Sequence, residues 1–255
     1  MNGVLGAGLD EQRSFLRECC PEDVRVHLGN EDIYRHACEL QGAQGYGPIE
    51  AEFLYAYVYS KRPGQIFQIG CGVSTAICLQ AANDAGYAPD IICVEPYPSL
   101  YLERLAAENR IRLLRTPAQE LPLREIESLD EDVFFFVDSS HTLGPAGEVG
   151  RIILEMLPRL KPGATVHFHD IYFPYDFEPG VLDDALFFWH ESALLHAYLT
   201  GNSKVRILVS LSMIHDASPG DLREIFPRYR PALHESGVRT EPGHFPASTY
   251  LRVVS

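Results

Sequence analysis

The sequence is short of positive charge. Its 255 residues include 21 lysines and arginines against 35 aspartates and glutamates, for a formal net charge of −14. Because nucleic-acid binding needs a cationic face, this balance predicts no nucleic-acid partner. No apolar run reaches the roughly 18–20 residues that cross a bilayer, which predicts no membrane partner. The first residues lack a basic region followed by an apolar core and predict no signal peptide.

Cysteine is also scarce, and its spacing is uninformative. All six cysteines lie in the first 93 residues, and no pair has the Cys-x-x-Cys spacing of a metal or redox motif. We therefore expect free thiols in a reducing cytoplasm. With this length and 46% hydrophobic residues, the chain suits one α/β domain with additional segments.

One stretch predicts a nucleoside site. A short apolar strand over 66–69 precedes a turn containing Gly70 and Gly72, and a helix follows from Ser74. Such a turn lets the backbone approach a ligand and directs free helix N–H groups at it. The next apolar strand ends at Glu95, whose carboxylate is expected beside the turn and suited to ribose hydroxyls. Thr75 replaces the third glycine of a dinucleotide fingerprint, which disfavours NAD-dependent redox chemistry.

The remaining chain alternates strands with helices. This order predicts a doubly wound, mostly parallel sheet, with ligands beyond the carboxyl ends of its strands. We expect residues 1–60 to form a helical appendage or lid and 61–255 to form the sheet domain. Three tyrosines of the helix predicted over 48–59, Tyr55, Tyr57 and Tyr59, either pack on the sheet or line an acceptor pocket.

Two later strand ends carry the candidate reacting groups. Asp138 and His141 follow one strand, and His169 and Asp170 follow the next. Either histidine, as a neutral imidazole near pH 7, suits a general base. Alternatively, Asp138, His169 and Asp170 suit a divalent ion. His167 alternates with His169 and is expected to face a helix layer.

These motifs resemble one family. The Gly-x-Gly-x-Ser-Thr loop at Gly70, the Asp-Ser-Ser-His turn at Asp138 and the His-Asp-Ile strand end at His169 resemble a bacterial branch of the class I S-adenosylmethionine-dependent methyltransferases. The segments 45–52 and 188–191 share the resemblance. It implies a seven-stranded Rossmann-like sheet with an antiparallel last strand and S-adenosylmethionine as cofactor. Most members have an acidic residue where this chain has Gln68. The resemblance and the glycine turn together predict eight cofactor-binding residues: Gln68, Gly70, Gly72, Ser74, Glu95, Ala118, Gln119 and Asp138.

The predicted function is methyl transfer to a small-molecule acceptor, a hydroxyl of a bacterial natural product or sugar. His141, His169 and Asp170 are the predicted catalytic residues, with Mg²⁺ as an optional addition. Two alternatives stay open: a cyclisation or pericyclic reaction in the same pocket, and a catalytically silent partner subunit. The aromatic loop over 172–180 suits either a cover for the acceptor or a homodimer contact.

Overall fold

The computed structural model describes residues 1–177, 189–234, 237–240 and 244–255. Its strands, in chain order, are β1 (Gln65–Ile69), β2 (Asp90–Val94), β3 (Arg112–Leu114), β4 (Phe134–Val137), β5 (Thr165–Phe168), β6 (Val205–Ser210), β7 (Ala232–His234), β8 (Gly237–Arg239) and β9 (Thr249–Val253). Seven of them form one sheet in the order β3-β2-β1-β4-β5-β9-β6, and β7 pairs with β8. β9 runs antiparallel to both of its neighbours, β5 and β6, and the other adjacent strands of the large sheet are parallel. The predicted seven-stranded, doubly wound fold is confirmed.

Helices cover both faces of this sheet. They are α1 (Leu9–Cys19), α2 (Glu22–Asn30), α3 (Ile33–Gln41), α4 (Pro48–Lys61), α5 (Val73–Asp84), α6 (Leu100–Ala107), α7 (Leu123–Glu127), α8 (Glu148–Arg151), α9 (Glu191–Leu199), α10 (Leu211–Ala217) and α11 (Pro219–Ile225). A π-helical turn (Ile152–Met156) and a 3₁₀ turn (Leu157–Arg159) continue α8, and a second 3₁₀ turn covers Ala118–Glu120.

Strand β4 shows how the two hydrophobic cores are divided. Phe134 and Phe136 belong to one core, and Phe135 belongs to the other. Successive side chains of a strand point to opposite faces, so a strand covered on both sides is apolar throughout. The continuous apolar run over 133–137 predicts a strand buried on both faces, and β4 confirms it.

The first four helices share the core on the Phe134 face. Leu16, Phe53 and Tyr57 are buried there together with strand residues such as Ile66. Helix α4 packs against α5, which follows the glycine turn. Helices α3 and α4 thus pack on the helix that follows the glycine turn, while the expected division at residue 60 stays a prediction.

Some element boundaries differ from the sequence expectation. The sequence over 184–199 predicts one long helix. The described helix begins at Glu191, with Trp189 and His190 outside it, and 184–188 lie outside the described residues. Helices α2, α10 and α11 and the β7–β8 pair were not predicted.

All six cysteines are free, as expected. Within the described ranges, every helix is too short or too polar to cross a lipid bilayer.

Candidate active site

A cavity of about 660 Å³ lies at the carboxyl ends of β1, β2 and β4. This volume is typical of a small-molecule site. The position lies where the strand order reverses between β1 and β4, the usual ligand position in such sheets. Five of the eight residues predicted to bind the cofactor line it: Gly70, Glu95, Ala118, Gln119 and Asp138.

A smaller cavity of about 120 Å³ adjoins the first and shares Asp138 with it. Its wall contains Gly72 and Ser74, two more of the predicted residues, at the start of α5. Gln41 and Tyr46 of the N-terminal region line its other side. The structure therefore places seven of the eight predicted residues around two cavities that share Asp138.

The glycine turn has no room for side chains. Gly70 has a φ of 80°, and a Cβ built there would lie 1.9 Å from the backbone oxygen of Asp138. Gly72 has a φ of 144°, and its Cβ would lie 2.9 Å from Nε2 of Gln41. Only glycine satisfies both the backbone angle and the close approach at Gly70.

Gln68 lies beneath this turn and lines neither cavity. It is fully buried, and its Oε1 accepts a hydrogen bond of 2.8 Å from the Thr75 hydroxyl. The Thr75 hydroxyl oxygen in turn accepts from the backbone N–H of Gly72 at 3.2 Å. Gln68 therefore supports the turn from below, and a direct cofactor contact stays a prediction.

Glu95 is held by its own loop. Its Oε1 accepts a hydrogen bond of 2.9 Å from the backbone N–H of Tyr97, and the side chain lines the larger cavity. This bond orients the carboxylate beside Gly70, where the sequence predicted it.

Four side chains meet beside Asp138, which lines both cavities, and we call Asp138, His141, His169 and Asp170 the inner cluster. His169 Nδ1 lies 3.1 Å from Asp138 Oδ1 and 3.6 Å from Asp170 Oδ2. His141 Nε2 lies 3.5 Å from Asp138 Oδ1 and 3.3 Å from Asp170 Oδ2. The predicted convergence of these two strand ends is confirmed.

Two further carboxylates hold the far nitrogens of the imidazoles, and we call Glu50 and Glu191 the outer carboxylates. Glu191 Oε2 lies 2.8 Å from His141 Nδ1, and Glu50 Oε2 lies 3.1 Å from His169 Nε2. Both glutamates are buried, at 0% and 2% exposed respectively. Each imidazole is thus fixed between one outer carboxylate and the inner pair.

The carboxylates change the charge state of the two imidazoles. Burial opposes protonation of His141, but its hydrogen bonds to Asp138 and Glu191 raise its pKa to about 10. Burial likewise opposes protonation of His169, and the charges of Glu50 and Asp138 raise its pKa well above the usual range. The neutral imidazoles expected from the sequence are therefore wrong for the protein without bound ions, because four carboxylates surround two rings.

The inner carboxylates respond in opposite directions. Burial alone would raise the pKa of Asp138, but His169 and His141 hold it well below its usual range. Burial raises the pKa of Asp170, and the two imidazoles only partly offset this. Asp138 is thus the firmly ionised member, and Asp170 is the more basic carboxylate.

Two members of the inner cluster have strained backbones. His141 has a φ of 60° and Asp170 a φ of 53°, in the left-handed region that residues other than glycine rarely adopt. Such strain costs of the order of 1–3 kcal/mol per residue and is concentrated at functional sites. Both strand ends therefore turn sharply at the residues that complete the cluster.

His167 belongs to the layer behind the site. It is fully buried, stacks on Phe136 at 4.3 Å, and its Nε2 lies 3.0 Å from both Tyr46 Oη and Ser248 Oγ. Ser248 Oγ donates to Glu50 Oε1 at 2.9 Å. Burial lowers the pKa of His167 well below its usual value. The expected structural position of His167 is confirmed, with a hydrogen-bonded connection to the outer carboxylate.

Of the two alternatives for the tyrosines of α4, packing agrees with the described contacts, and none of the three lines either cavity. Tyr57 packs on Phe134 with ring centroids 4.6 Å apart, and Tyr55 stacks on His27 at 5.0 Å. Tyr59 is half-buried against Tyr55. Of the loop over 172–180, residues 178–180 lie outside the described residues, so its predicted role stays open.

Sequence reasoning missed the outer carboxylates and Gln41. Glu50 and Glu52 interrupt an otherwise apolar helix, and this was the available signal, since buried charges are rare without a partner. Glu52 pairs with Arg228 at 2.7 Å. Glu50 is bound to His169, 119 positions away, and no local pattern shows such a pairing.

Residues 67–171 match the family model described as a methyltransferase domain. The match spans under half of the chain. The match covers the strands and loops that carry the glycine turn, Glu95 and the inner cluster, and it agrees with the resemblance seen in the motifs.

Comparison with known proteins adds the following. A protein of Archaeoglobus fulgidus, described as uncharacterized, is 33% identical over 88 residues, which are 33% of this chain and 39% of the relative. The chain therefore matches well under half of that relative's length.

Solved structures give more distant similarities. A Podospora anserina methyltransferase bound to S-adenosylhomocysteine is 14% identical, with a TM-score of 0.41 over 92% of this chain and 90% of the other. A Burkholderia thailandensis 1,6-didemethyltoxoflavin-N1-methyltransferase is 13% identical, with a TM-score of 0.38 over 97% and 89%.

Proposed function

We propose that this protein transfers the methyl group of S-adenosylmethionine to a hydroxyl of a small molecule, a natural product or a sugar. The observation that carries the proposal is the juxtaposition of two sites. A cofactor-sized cavity bordered by Gly70 and Glu95 opens at Asp138 onto a cluster of acid–base side chains.

The chain's residues fit this cofactor. Gly70 lies so close to the Asp138 backbone that a Cβ at this position would fill the space of the turn. Glu95 offers a carboxylate to the ribose hydroxyls, and Ala118 and Gln119 border the part of the cavity expected for the adenine. The smaller cavity at Gly72 and Ser74 suits the amino-acid end. When bound, the cofactor supplies an electrophilic methyl group.

The chain's own part is to place the acceptor oxygen and to receive its proton. Methyl transfer is an in-line displacement, so positioning supplies much of the rate. An acceptor hydroxyl at the inner cluster is within reach of His141, His169 and Asp170, the predicted catalytic residues. The raised pKa of Asp170 makes it a stronger base than an ordinary aspartate. The protonated form of both imidazoles is favoured, so either ring can act as a base only after it has lost its extra proton.

Calorimetry with S-adenosylmethionine and S-adenosylhomocysteine tests the cofactor site. We expect both to bind, and Glu95→Ala to weaken binding at least about tenfold, because it loses the ribose contacts. Glu108→Ala, at an exposed position beyond α6, is the matched control and should bind normally. Failure of the wild-type protein to bind either ligand would refute the proposal.

Transfer itself is tested with an isotopically labelled methyl group. Incubation with polyhydroxylated acceptors and sugars should give a labelled methyl ether, found by mass spectrometry. A product in which the cofactor is consumed without methylation would instead support cyclisation.

A further inference from the structure

We propose that the inner cluster binds one divalent transition-metal ion, with Asp138, His141, His169 and Asp170 as its four ligands. The sequence suggested only three of these residues, with Mg²⁺ as the ion. The structure adds His141, and two imidazoles change the class of metal that fits.

The first argument is the spacing of the ligand atoms. The four imidazole-to-carboxylate distances within the cluster are 3.1, 3.3, 3.5 and 3.6 Å. A tetrahedral ion with ligands at about 2.0–2.1 Å holds them about 3.3 Å apart. Single ligand atoms of Asp138, His141 and His169 lie within 4.8 Å of one another, and Asp170 is outside that group. Three ligands are thus already gathered, and Asp170, within 3.6 Å of both imidazoles, completes the shell by moving toward Asp138 when the ion binds.

The second argument is the outer carboxylates. Histidines that bind metals almost always donate their other ring N–H to a carboxylate or carbonyl, which fixes the ring and the tautomer. Glu191 does this for His141 at 2.8 Å, and Glu50 does it for His169 at 3.1 Å. Both nitrogens that face the inner cluster are therefore presented with the ring orientation of a ligand.

Charge and access agree with this assignment. Four carboxylates face the two rings, so a divalent ion replaces the two positive charges that the imidazoles give up when they become ligands. Asp138 borders both cavities, and its side chain is 29% exposed, so the cluster is open to solvent on one side.

The donor atoms select the metal class. Two nitrogens and two carboxylate oxygens suit Zn²⁺, Co²⁺, Fe²⁺ or Mn²⁺, whereas Mg²⁺ and Ca²⁺ prefer oxygen ligands alone. The cluster should therefore discriminate strongly against Mg²⁺.

The test is metal titration of the whole protein after treatment with EDTA, with Zn²⁺, Co²⁺ and Mg²⁺ as probes and no cofactor present. We expect one equivalent of Zn²⁺ or Co²⁺ to bind at least about 100-fold more tightly than Mg²⁺. The visible spectrum of bound Co²⁺ should show a low coordination number and no thiolate band. Equal affinity for Mg²⁺ and Zn²⁺, or no stoichiometric binding, would overturn the proposal.

Variants then identify the ligands. His141→Gln and Asp170→Asn should each weaken Zn²⁺ binding more than tenfold, and Glu191→Gln about 10–100-fold through the orientation of His141. His36→Gln, an exposed histidine, is the matched control and should bind normally. Unchanged binding in His141→Gln would remove it from the ligand set. The wild-type metal preference tests the proposal even where a variant fails to fold.

The metal site and the proposed methyl transfer can fail separately. With the ion bound, His141, His169 and Asp170 would be ligands, and the ion would lower the pKa of the acceptor hydroxyl in place of a protein base. A protein that binds S-adenosylmethionine but no transition metal would refute only the metal site. One that binds Zn²⁺ but neither cofactor nor its product would refute only the proposed function.

Discussion

Glu50, in the fourth helix, accepts a hydrogen bond from Nε2 of His169, at the end of the fifth strand, over 3.1 Å. The same Oε2 accepts from the backbone N–H of Gly47 at 3.1 Å, and Oε1 accepts from the Ser248 hydroxyl at 2.9 Å. One buried carboxylate thus joins the start of a helix, the inner cluster and the segment before the last strand.

Glu50→Gln should lower the pKa of His169, because an amide keeps the shape of the side chain but removes its charge. We also expect the free energy of unfolding at pH 7 to fall by about 1–3 kcal/mol, since a buried charge-assisted hydrogen bond is lost. NMR titration of the His169 ring and urea unfolding measure the two effects.

Glu52→Gln is the matched control, because Glu52 is buried in the same helix and pairs with Arg228 at 2.7 Å. It should lose comparable stability and leave the His169 titration unchanged. Identical His169 titrations in the two variants would contradict the assigned contact.

Gly70→Ala should destabilise the protein by about 3 kcal/mol and reduce S-adenosylhomocysteine affinity at least about tenfold. Its Cβ would lie 1.9 Å from the Asp138 backbone oxygen, so the turn or β4 must move. Gly86 has a similar φ of 71°, and no atom lies within 4 Å of the position of its Cβ. Gly86→Ala is therefore the control that measures the cost of backbone strain alone. It should cost about 1 kcal/mol and leave affinity unchanged. Equal effects on affinity would show that the close approach is unimportant.

Thr75→Val should loosen the glycine turn. The Thr75 hydroxyl donates to Gln68 and accepts from Gly72. Its loss leaves the Gly72 N–H unpaired and Gln68 Oε1 with only the weak Cys93 thiol donor at 3.8 Å, at a cost of about 1–3 kcal/mol. Thr75→Ser retains the hydroxyl and should keep most of the stability and of the affinity for S-adenosylhomocysteine. Thermal unfolding and calorimetry compare them, and a valine variant as stable as the serine variant would argue against this support.

The metal-free protein should lose stability as pH rises from neutral to alkaline. The folded pKa of His141 is about 10 against an ordinary 6.5, because the carboxylates of Asp138, Asp170 and Glu191 surround the ring beside Trp189. Its contribution is complete below about pH 6.5 and is lost as pH rises through about 10. Unfolding measured in EDTA across this range should show the decline.

Glu191→Gln should flatten that decline, because it brings the pKa of His141 back toward its ordinary value. Glu39→Gln, an exposed position in α3, should retain the wild-type slope. A slope that is unchanged by Glu191→Gln would mean that another group titrates.

The parts of the site that follow from local sequence were predictable. Gly70, Gly72 and Glu95 sit where a strand, a turn and a helix are consecutive in the chain, so spacing alone locates them. Asp138 and His169 were placed together because parallel strands end at one edge of a sheet.

The supporting residues were not predictable in this way. Glu50, Ser248 and Gln41 reach the site through tertiary packing from distant segments, and spacing carries no information about that packing. The charge state of His141 also required the structure, because it depends on how many carboxylates surround one ring. The predicted helix over 184–199 differs from the described helix, which begins at Glu191. The reason is related, because an apolar pattern does not show at which residue a helix begins.

The outer carboxylates have a consequence for how this site can be exchanged between proteins. The segment 67–171 that matches the methyltransferase domain contains all four residues of the inner cluster but neither Glu50 nor Glu191. A chimera that transplants only this segment would carry the inner cluster without the outer carboxylates that orient its imidazoles. Successful recombination should therefore need the fourth helix and the start of the ninth to travel with it, so that the smallest exchangeable unit is much larger than the recognisable domain.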